Sequence, residues 1–264
     1  MFINKFELDN SKKYLKNGYL IQKAENFKAL DSVRNILVKA ITEQIKNNHF
    51  KNSDELLNNI HKLVSIKNLN SFRLNVIQKI NKSKQLRPSI FLTAQKLIEA
   101  IVGNELAMQL RTNLSIQMPK DKSSLLPLHA DTWSGVSPFE VVLWLPLVDC
   151  SKTKSMFILP HNKLKKYKNL FSVKKKNKNT TDIFKKIRKD LIWLDVKYGD
   201  IVLFNQSLPH GNIINQEKET RWSMNIRFKG LFTPYGDKKI GEFFEPITTK
   251  TASKFGMNYK LPKI

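Results

Sequence analysis

The chain has 264 residues, of which 41% are apolar and 26% charged, the proportions of a globular protein with a sizeable core. Its single cysteine, Cys150, rules out a disulfide framework or a cysteine-based metal cluster within one chain. The longest apolar run, Val141 to Val148, is too short to span a bilayer, and the opening MFINKFELDN lacks the apolar stretch of a signal peptide. A cytoplasmic protein without a membrane span is therefore expected.

The formal charge of +24 suggests a nucleic-acid partner, but the residue types argue against one. The basic residues are 39 Lys and 7 Arg, beside 25 Asn. Reading of phosphate or guanine by two-point hydrogen bonding would favour Arg. The charge is concentrated in 163–189, which holds eleven Lys and one Arg against a single acid, Asp182. This segment is read as a solvated or lid-forming insert, or else as a patch for an anionic substrate or surface.

From about Lys28 to Leu110 apolar residues recur at helical spacing. Leu30, Val33, Ile36, Leu37 and Ile41 form one stripe, and Leu56, Leu57, Ile60, Leu63 and Val64 form another. Ser53 is the expected N-cap of the second helix, with Asp54 and Glu55 in its first turn. Pro88 opens a third helix running through Ala94, Leu97, Ile98, Ile101 and Leu106.

After Arg111 short strands bounded by Gly, Pro, Asn and Asp take over. The predicted strands are Asn113–Met118, Leu126–Asp131, Phe139–Leu147, Ser155–Leu159, Leu191–Lys197, Ile201–Asn205, His210–Ile214 and Arg221–Lys229. Eight short strands predict an α+β chain: a jelly roll or closed barrel with the amino-terminal helices packed on one sheet. One domain is expected over 1–264, divided into helical support (1–110), a jelly-roll core (111–235) carrying the 163–189 insert, and a carboxy-terminal extension (236–264).

Five histidines are present, and His49 and His61 are read as surface or packing residues. His129 and Asp131 lie two apart at a predicted strand end, so both side chains would share a face. His210 begins a later strand after the Gly199-Asp200 turn and the apolar run Ile201–Phe204. Two His and one carboxylate on one face of an octahedron is the facial triad of non-haem Fe(II) oxygenases, which leaves three positions open. Arg221 follows His210 by eleven residues and shares a strand face with Ser223, an arrangement suited to gripping a carboxylate. Arg227 is on the same face, where it would meet an anionic substrate group or pair with an acid. Trp133, Phe139 and Trp222 are candidates for the mouth of the site or for packing.

His-x-Asp (129–131), Gly-Asp-Ile-Val-Leu-Phe (199–204), His210 and Arg-x-Ser (221–223) resemble the phytanoyl-CoA dioxygenase-like branch of Fe(II)/2-oxoglutarate oxygenases. The stretch Leu125 to Phe228 is also similar to a bacterial subgroup from carbohydrate-biosynthesis clusters. The resemblance implies a double-stranded β-helix, cupin-like, with Fe(II) held by His129, Asp131 and His210. It further implies 2-oxoglutarate, with its far carboxylate on Arg221 and Ser223, and O2 as the oxidant. Gln117 matches a position where relatives place an amide near the co-substrate, with a plain interior hydrogen bond as the competing role. Halogenating relatives replace the triad carboxylate with a small residue, so Asp131 implies hydroxylation. The chain departs from the pattern at Ser155, where relatives carry Gly, and at His161-Asn162; His161 is not counted as a ligand. The expected substrate is small and anionic, such as a nucleotide-linked sugar. The competing readings are a cupin-like metalloenzyme without 2-oxoglutarate and a non-catalytic module that binds through its basic insert.

Overall fold

Asparagine side chains start three of the amino-terminal helices. In the computed structural model, which describes residues 2–45, 49–171 and 179–262, helices α1 (Lys5–Asn17), α2 (Phe27–Thr42) and α3 (Ser53–Asn59) are capped by Asn4, Asn26 and Asn52. Each side-chain oxygen accepts a first-turn amide at 2.9 Å, satisfying a donor that has no partner within the helix. Ser53 is thus the first helical residue and Asn52, one place earlier, is the cap. The two predicted stripes are buried at Leu30, Val33, Leu37 and Ile41, and at Leu56, Leu57 and Ile60.

α4 (Leu69–Asn81) follows, and the predicted third helix divides into α5 (Leu86–Leu92) and α6 (Gln95–Val102). The break has a visible cause. The carboxylate of Glu25 accepts the amides of Lys96 and Leu97 at 2.8 Å each, giving α6 a cap and a start of its own. Leu106 lies beyond the helix, on a strand.

The strands are β1 (Tyr19–Lys23), β2 (Leu106–Gln109), β3 (Asn113–Gln117), β4 (Glu140–Pro146), β5 (Phe157–Ile158), β6 (Ile192–Trp193), β7 (Asp200–Asn205), β8 (His210–Gly211), β9 (Arg221–Gly230) and β10 (Phe244–Thr248). They form two sheets, ordered β1-β7-β4-β9-β2-β10 with β3 also on β9, and β6-β5-β8. Every pairing between these strands is antiparallel. β1, β2 and β10 were not anticipated; they carry the helical segment and the carboxy-terminal extension into the larger sheet. The predicted strand Leu126–Asp131 is reduced to a bridge between His129 and His210, which continues the smaller sheet past β8.

Strand β9 divides the interior. Trp222, Met224, Ile226 and Phe228 are buried in the main core, where Trp222 meets Phe72 of α4 with ring centroids 6.4 Å apart and donates to the Leu57 carbonyl at 2.7 Å. Arg221, Ser223, Asn225 and Arg227 alternate with them and point the other way, toward the smaller sheet. Trp222 is thereby fixed as a packing residue.

The basic insert is folded onto the smaller sheet over its described residues. α7 (His161–Leu164) leads into it, and it contains α8 (Lys168–Phe171) and α9 (Thr180–Ile187); α10 (Thr251–Asn258) is the last helix. Tyr167, Ile183 and Ile187 are buried with Leu128, Phe157 and Leu159, while Lys163 and Lys166 pair with Asp190. A purely solvated segment is therefore excluded for these parts; the tract 172–178 lies outside the described residues. Among the described residues no helix is long and apolar enough to cross a membrane.

Candidate metal centre

His129 and His210 are brought together by backbone pairing. Each donates its amide to the other's carbonyl, at 2.9 and 2.8 Å, and the imidazole centroids lie 4.3 Å apart. Asp131 arrives by another route than the predicted alternation. It opens a 3-10 turn, Asp131–Ser134, and its amide donates to the Gln206 carbonyl at 2.9 Å. One ligand atom from each of the three residues lies within 4.8 Å of the others, and His129 Nε2 is 3.8 Å from Asp131 Oδ1.

The hydrogen bonds around the triad orient its imidazole rings. His129 Nδ1 meets the Pro127 carbonyl and His210 Nδ1 meets the Leu208 carbonyl, each at 2.8 Å. A carbonyl can only accept, so both Nδ1 atoms carry a proton, which reserves Nε2 of each ring as the atom that would face a metal. Burial first, and then the His129 ring, push His210 down to about 4, so it is neutral at ordinary pH. Burial works to raise the Asp131 carboxyl, but Arg227 and the imidazoles outweigh it and hold it below the usual carboxylate range. Arg227 Nη2 donates to Asp131 Oδ2 at 2.8 Å, which leaves Oδ1 facing the imidazoles. Two nitrogen lone pairs and one carboxylate oxygen so disposed fit a divalent transition metal with three protein ligands.

These groups line a cavity of about 430 Å³ between the two sheets. Arg221 also lines it, fully buried, with Nη2 donating to Ser115 Oγ at 2.9 Å. Its Nε has no partner and, among the described residues, it makes no ion pair. Burial pushes Arg221 down to about 10, which still leaves it charged at neutral pH. Ser223 Oγ and Asn225 Oδ1 are buried without partners on the same strand face. A buried cation with no anion beside it, flanked by unpartnered polar atoms, calls for an anionic ligand.

Gln117 stands opposite Arg221 in the β3–β9 ladder, and its amide donates to the Ile213 carbonyl while Oε1 is unpartnered. Ser223 and Gln117 adjoin Arg221 without lining the cavity. Trp133 is half exposed and rests against Phe171, with ring centroids 5.7 Å apart, and Phe139 is exposed. His61 bonds Thr220, and His161 meets the Leu15 carbonyl, so neither joins the triad. The sequence reading missed Trp144, Ser115, Asn225 and Arg73, all of which line the cavity. Period-two alternation from Arg221 would have found Asn225; no local signal marks Arg73, on a helix about 150 positions earlier in the chain.

No protein-family model matches this sequence, and no curated protein matches it. Solved structures do match. The non-heme monooxygenase ThoJ, as its nickel complex, superposes with a TM-score of 0.53 at 12% identity, over 93% of this chain and 86% of that one. The non-heme alpha-ketoglutarate-dependent carbocyclase SnoK of nogalamycin biosynthesis gives 0.54 at 15% identity, over 94% and 97%. The epimerase SnoN, in complex with Fe3+, alpha-ketoglutarate and nogalamycin RO, gives 0.51 at 14%, over 87% and 86%. The fold is one shared with non-haem oxygenases and their alpha-ketoglutarate-dependent relatives. In this chain that fold carries a His-Asp-His cluster.

Proposed function

We propose that this chain is an Fe(II)- and 2-oxoglutarate-dependent dioxygenase that hydroxylates a small substrate. The observation that carries this reading is Arg221, a buried, unpaired cation opening into the same cavity as the His129, Asp131 and His210 ligand atoms. In this reading the two facing sheets are a double-stranded β-helix of the phytanoyl-CoA dioxygenase-like kind. His129 Nε2, Asp131 Oδ1 and His210 Nε2 hold the iron. Arg221 and Ser223 receive the far carboxylate of 2-oxoglutarate, with the Gln117 amide near the co-substrate on the neighbouring strand.

When bound, the metal and the oxoacid supply the oxidising power: O2 and 2-oxoglutarate give succinate and carbon dioxide, with one oxygen atom entering a substrate C–H bond. The residues supply position and exclusion of water. The Pro127 and Leu208 carbonyls fix both imidazole rings. Arg227 occupies Asp131 Oδ2 and keeps the carboxylate to one metal-facing oxygen. Asp131 itself is the reason to favour hydroxylation over halogenation. A cupin-like enzyme without an oxoacid gives Arg221 no partner, and a non-catalytic module gives none to the triad.

The substrate is read as small and anionic, a nucleotide-linked sugar or another carbohydrate-pathway intermediate handled in the cytoplasm. The resemblance of 125–228 to the carbohydrate subgroup and the basic balance of the chain support this.

The test is anaerobic addition of Fe(II) and then 2-oxoglutarate to the metal-free protein, followed by visible absorption. A weak charge-transfer band should require both additions, vanish in His210→Ala and weaken in Arg221→Ala. Iron binding without a band would transfer the assignment to the cupin-like reading. Failure to bind either would remove the enzyme reading altogether.

A further inference from the structure

The seven arginines fall into three groups. Arg34, Arg87 and Arg227 pair with Asp54, Glu245 and Asp131. Arg111 and Arg188 are exposed to solvent. Arg73 and Arg221 are neither: both are at least half buried, both lack an ion pair among the described residues, and both line the same cavity. The proposed co-substrate accounts for Arg221. Nothing in the chemistry so far accounts for Arg73.

Arg73 enters from the helical side. Phe72 pins α4 against Trp222 on the outer face of β9, and the next residue reaches the cavity beside Asn113 and Ser115 of β3. Its Nη2 donates to Asn70 Oδ1 at 2.7 Å, one turn back on the same helix, which orients the guanidinium and leaves its other donors for a ligand. Ser123 and Ser124 also line the cavity, but Ser123 Oγ donates to the buried Asp121 carboxylate at 2.7 Å, so Arg73 is the donor left for an anion at this end. The electrostatics point the same way. A divalent metal and a doubly charged oxoacid cancel, leaving three guanidiniums (Arg73, Arg221, Arg227) and one carboxylate, Asp131, around the remaining space. Such a cavity favours an anion over a neutral molecule of the same shape.

We propose that Arg73 anchors an anionic group, a carboxylate or a phosphate, of the substrate, and so selects small acids or phosphorylated metabolites. This rests on the dioxygenase reading above and names the residue through which that site would choose its substrate. The anion is held at the β3 edge while the rest of the molecule extends toward the triad. Arg73 is a specificity-determining residue, remote from the metal ligands in both sequence and element.

The test uses the full chain loaded with Mn(II) in place of iron and saturated with 2-oxoglutarate, so that Arg221 is occupied. Methyl phosphate, acetate and the uncharged methyl acetate are titrated into wild type, Arg73→Gln and Arg73→Lys by calorimetry. Wild type should bind at least one of the two anions and not the ester, and the tighter anion identifies the group. Arg73→Gln should weaken that binding by about tenfold, the loss of one charge-assisted hydrogen bond, with the affinities for Mn(II) and 2-oxoglutarate unchanged. Arg73→Lys should lose less. Equal anion binding by wild type and Arg73→Gln, or none by wild type, overturns the proposal. So does a loss of 2-oxoglutarate affinity in Arg73→Gln, which would assign Arg73 to the co-substrate. If wild type fails to bind 2-oxoglutarate yet shows Arg73-dependent anion binding, the anion site stands and the dioxygenase reading falls.

Discussion

Arg227 Nη2 lies 2.8 Å from Asp131 Oδ2, so the carboxylate of the triad is gripped by a cation from the strand that also carries Arg221. Arg227 is itself held by Gln206, whose Oε1 accepts from its Nε at 3.2 Å and whose amide nitrogen donates to the Ser137 carbonyl at 2.8 Å. The loop after β7 therefore sets the strand cation, which in turn sets the ligand. Of the two roles open to Arg227 in the sequence, the ion pair with an acid is the one the structure adopts.

Arg227→Met is expected to weaken Mn(II) or Fe(II) binding by about 10–100-fold, as loss of an orienting partner to a metal ligand does. Arg227→Lys should fall between, since it keeps the charge and loses the planar two-sided contact. Metal titration of the three proteins decides the matter, and an unchanged affinity in Arg227→Met would show that Asp131 is oriented by its backbone alone.

Arg221→Met should affect the ligand-free and ligand-bound proteins in opposite senses. Removing a buried cation that has one hydrogen-bond partner and no anion should stabilise the ligand-free protein by roughly 1–3 kcal/mol. The same change should abolish the rise in melting temperature that 2-oxoglutarate gives the metal-loaded wild type. Thermal unfolding with and without the oxoacid reads both effects. A destabilised ligand-free variant would mean that the guanidinium is a structural element.

The metal-free protein should lose stability on mild acidification. His210 is pushed down to about 4 by burial, whereas the unfolded chain protonates near the ordinary value of about 6.5. Between those values the unfolded state binds more protons, so this contribution is complete above about pH 6.5 and is lost as pH falls toward 4. The slope approaches about 1.4 kcal/mol per pH unit, and the total is about 3 kcal/mol. Urea unfolding of wild type against His210→Gln isolates the effect from other acids: the variant should lack this part of the pH dependence, and parallel curves would refute the assignment.

Trp222→Ala should cost about 3–5 kcal/mol, since it empties a fully buried site against Phe72 and leaves the Leu57 carbonyl without its donor. Trp222→Phe should recover the packing and retain a loss of about 1–3 kcal/mol for the carbonyl. Chemical denaturation checks both, and a near-neutral Trp222→Ala would mean that the helices dock on β9 mainly through other contacts.

The candidate residues were legible because they stand in short local patterns. His-x-Asp, a His opening a strand, and Arg-x-Ser were readable as chemistry, and the alternation along Arg221–Phe228 correctly separated the polar cavity face from the apolar helix-facing one. The helical stripes were legible for the same reason, since burial on one side of a helix imposes a 3.6-residue period. The errors share a cause as well. β1, β2 and β10 are short strands toward the two edges of the larger sheet, set in the helical segment and the carboxy-terminal extension, and they exist because a sheet was there to pair with. The helix break before α6 depends on Glu25, about seventy residues away, and Asp131 leaves the strand pattern to meet the Gln206 carbonyl.

The sequence by itself determined which residue types were available for metal and anion binding, and on which face of β9 each would lie, because alternation is a property of the local backbone. Only the tertiary structure decided which of them meet. The His129–His210 bridge, the Arg227–Asp131 pair and the entry of Arg73 into the cavity join residues 81, 96 and about 40 to 150 positions apart. Those contacts are chosen by the packing of two sheets and a helix layer, and no local period encodes a partner at that distance.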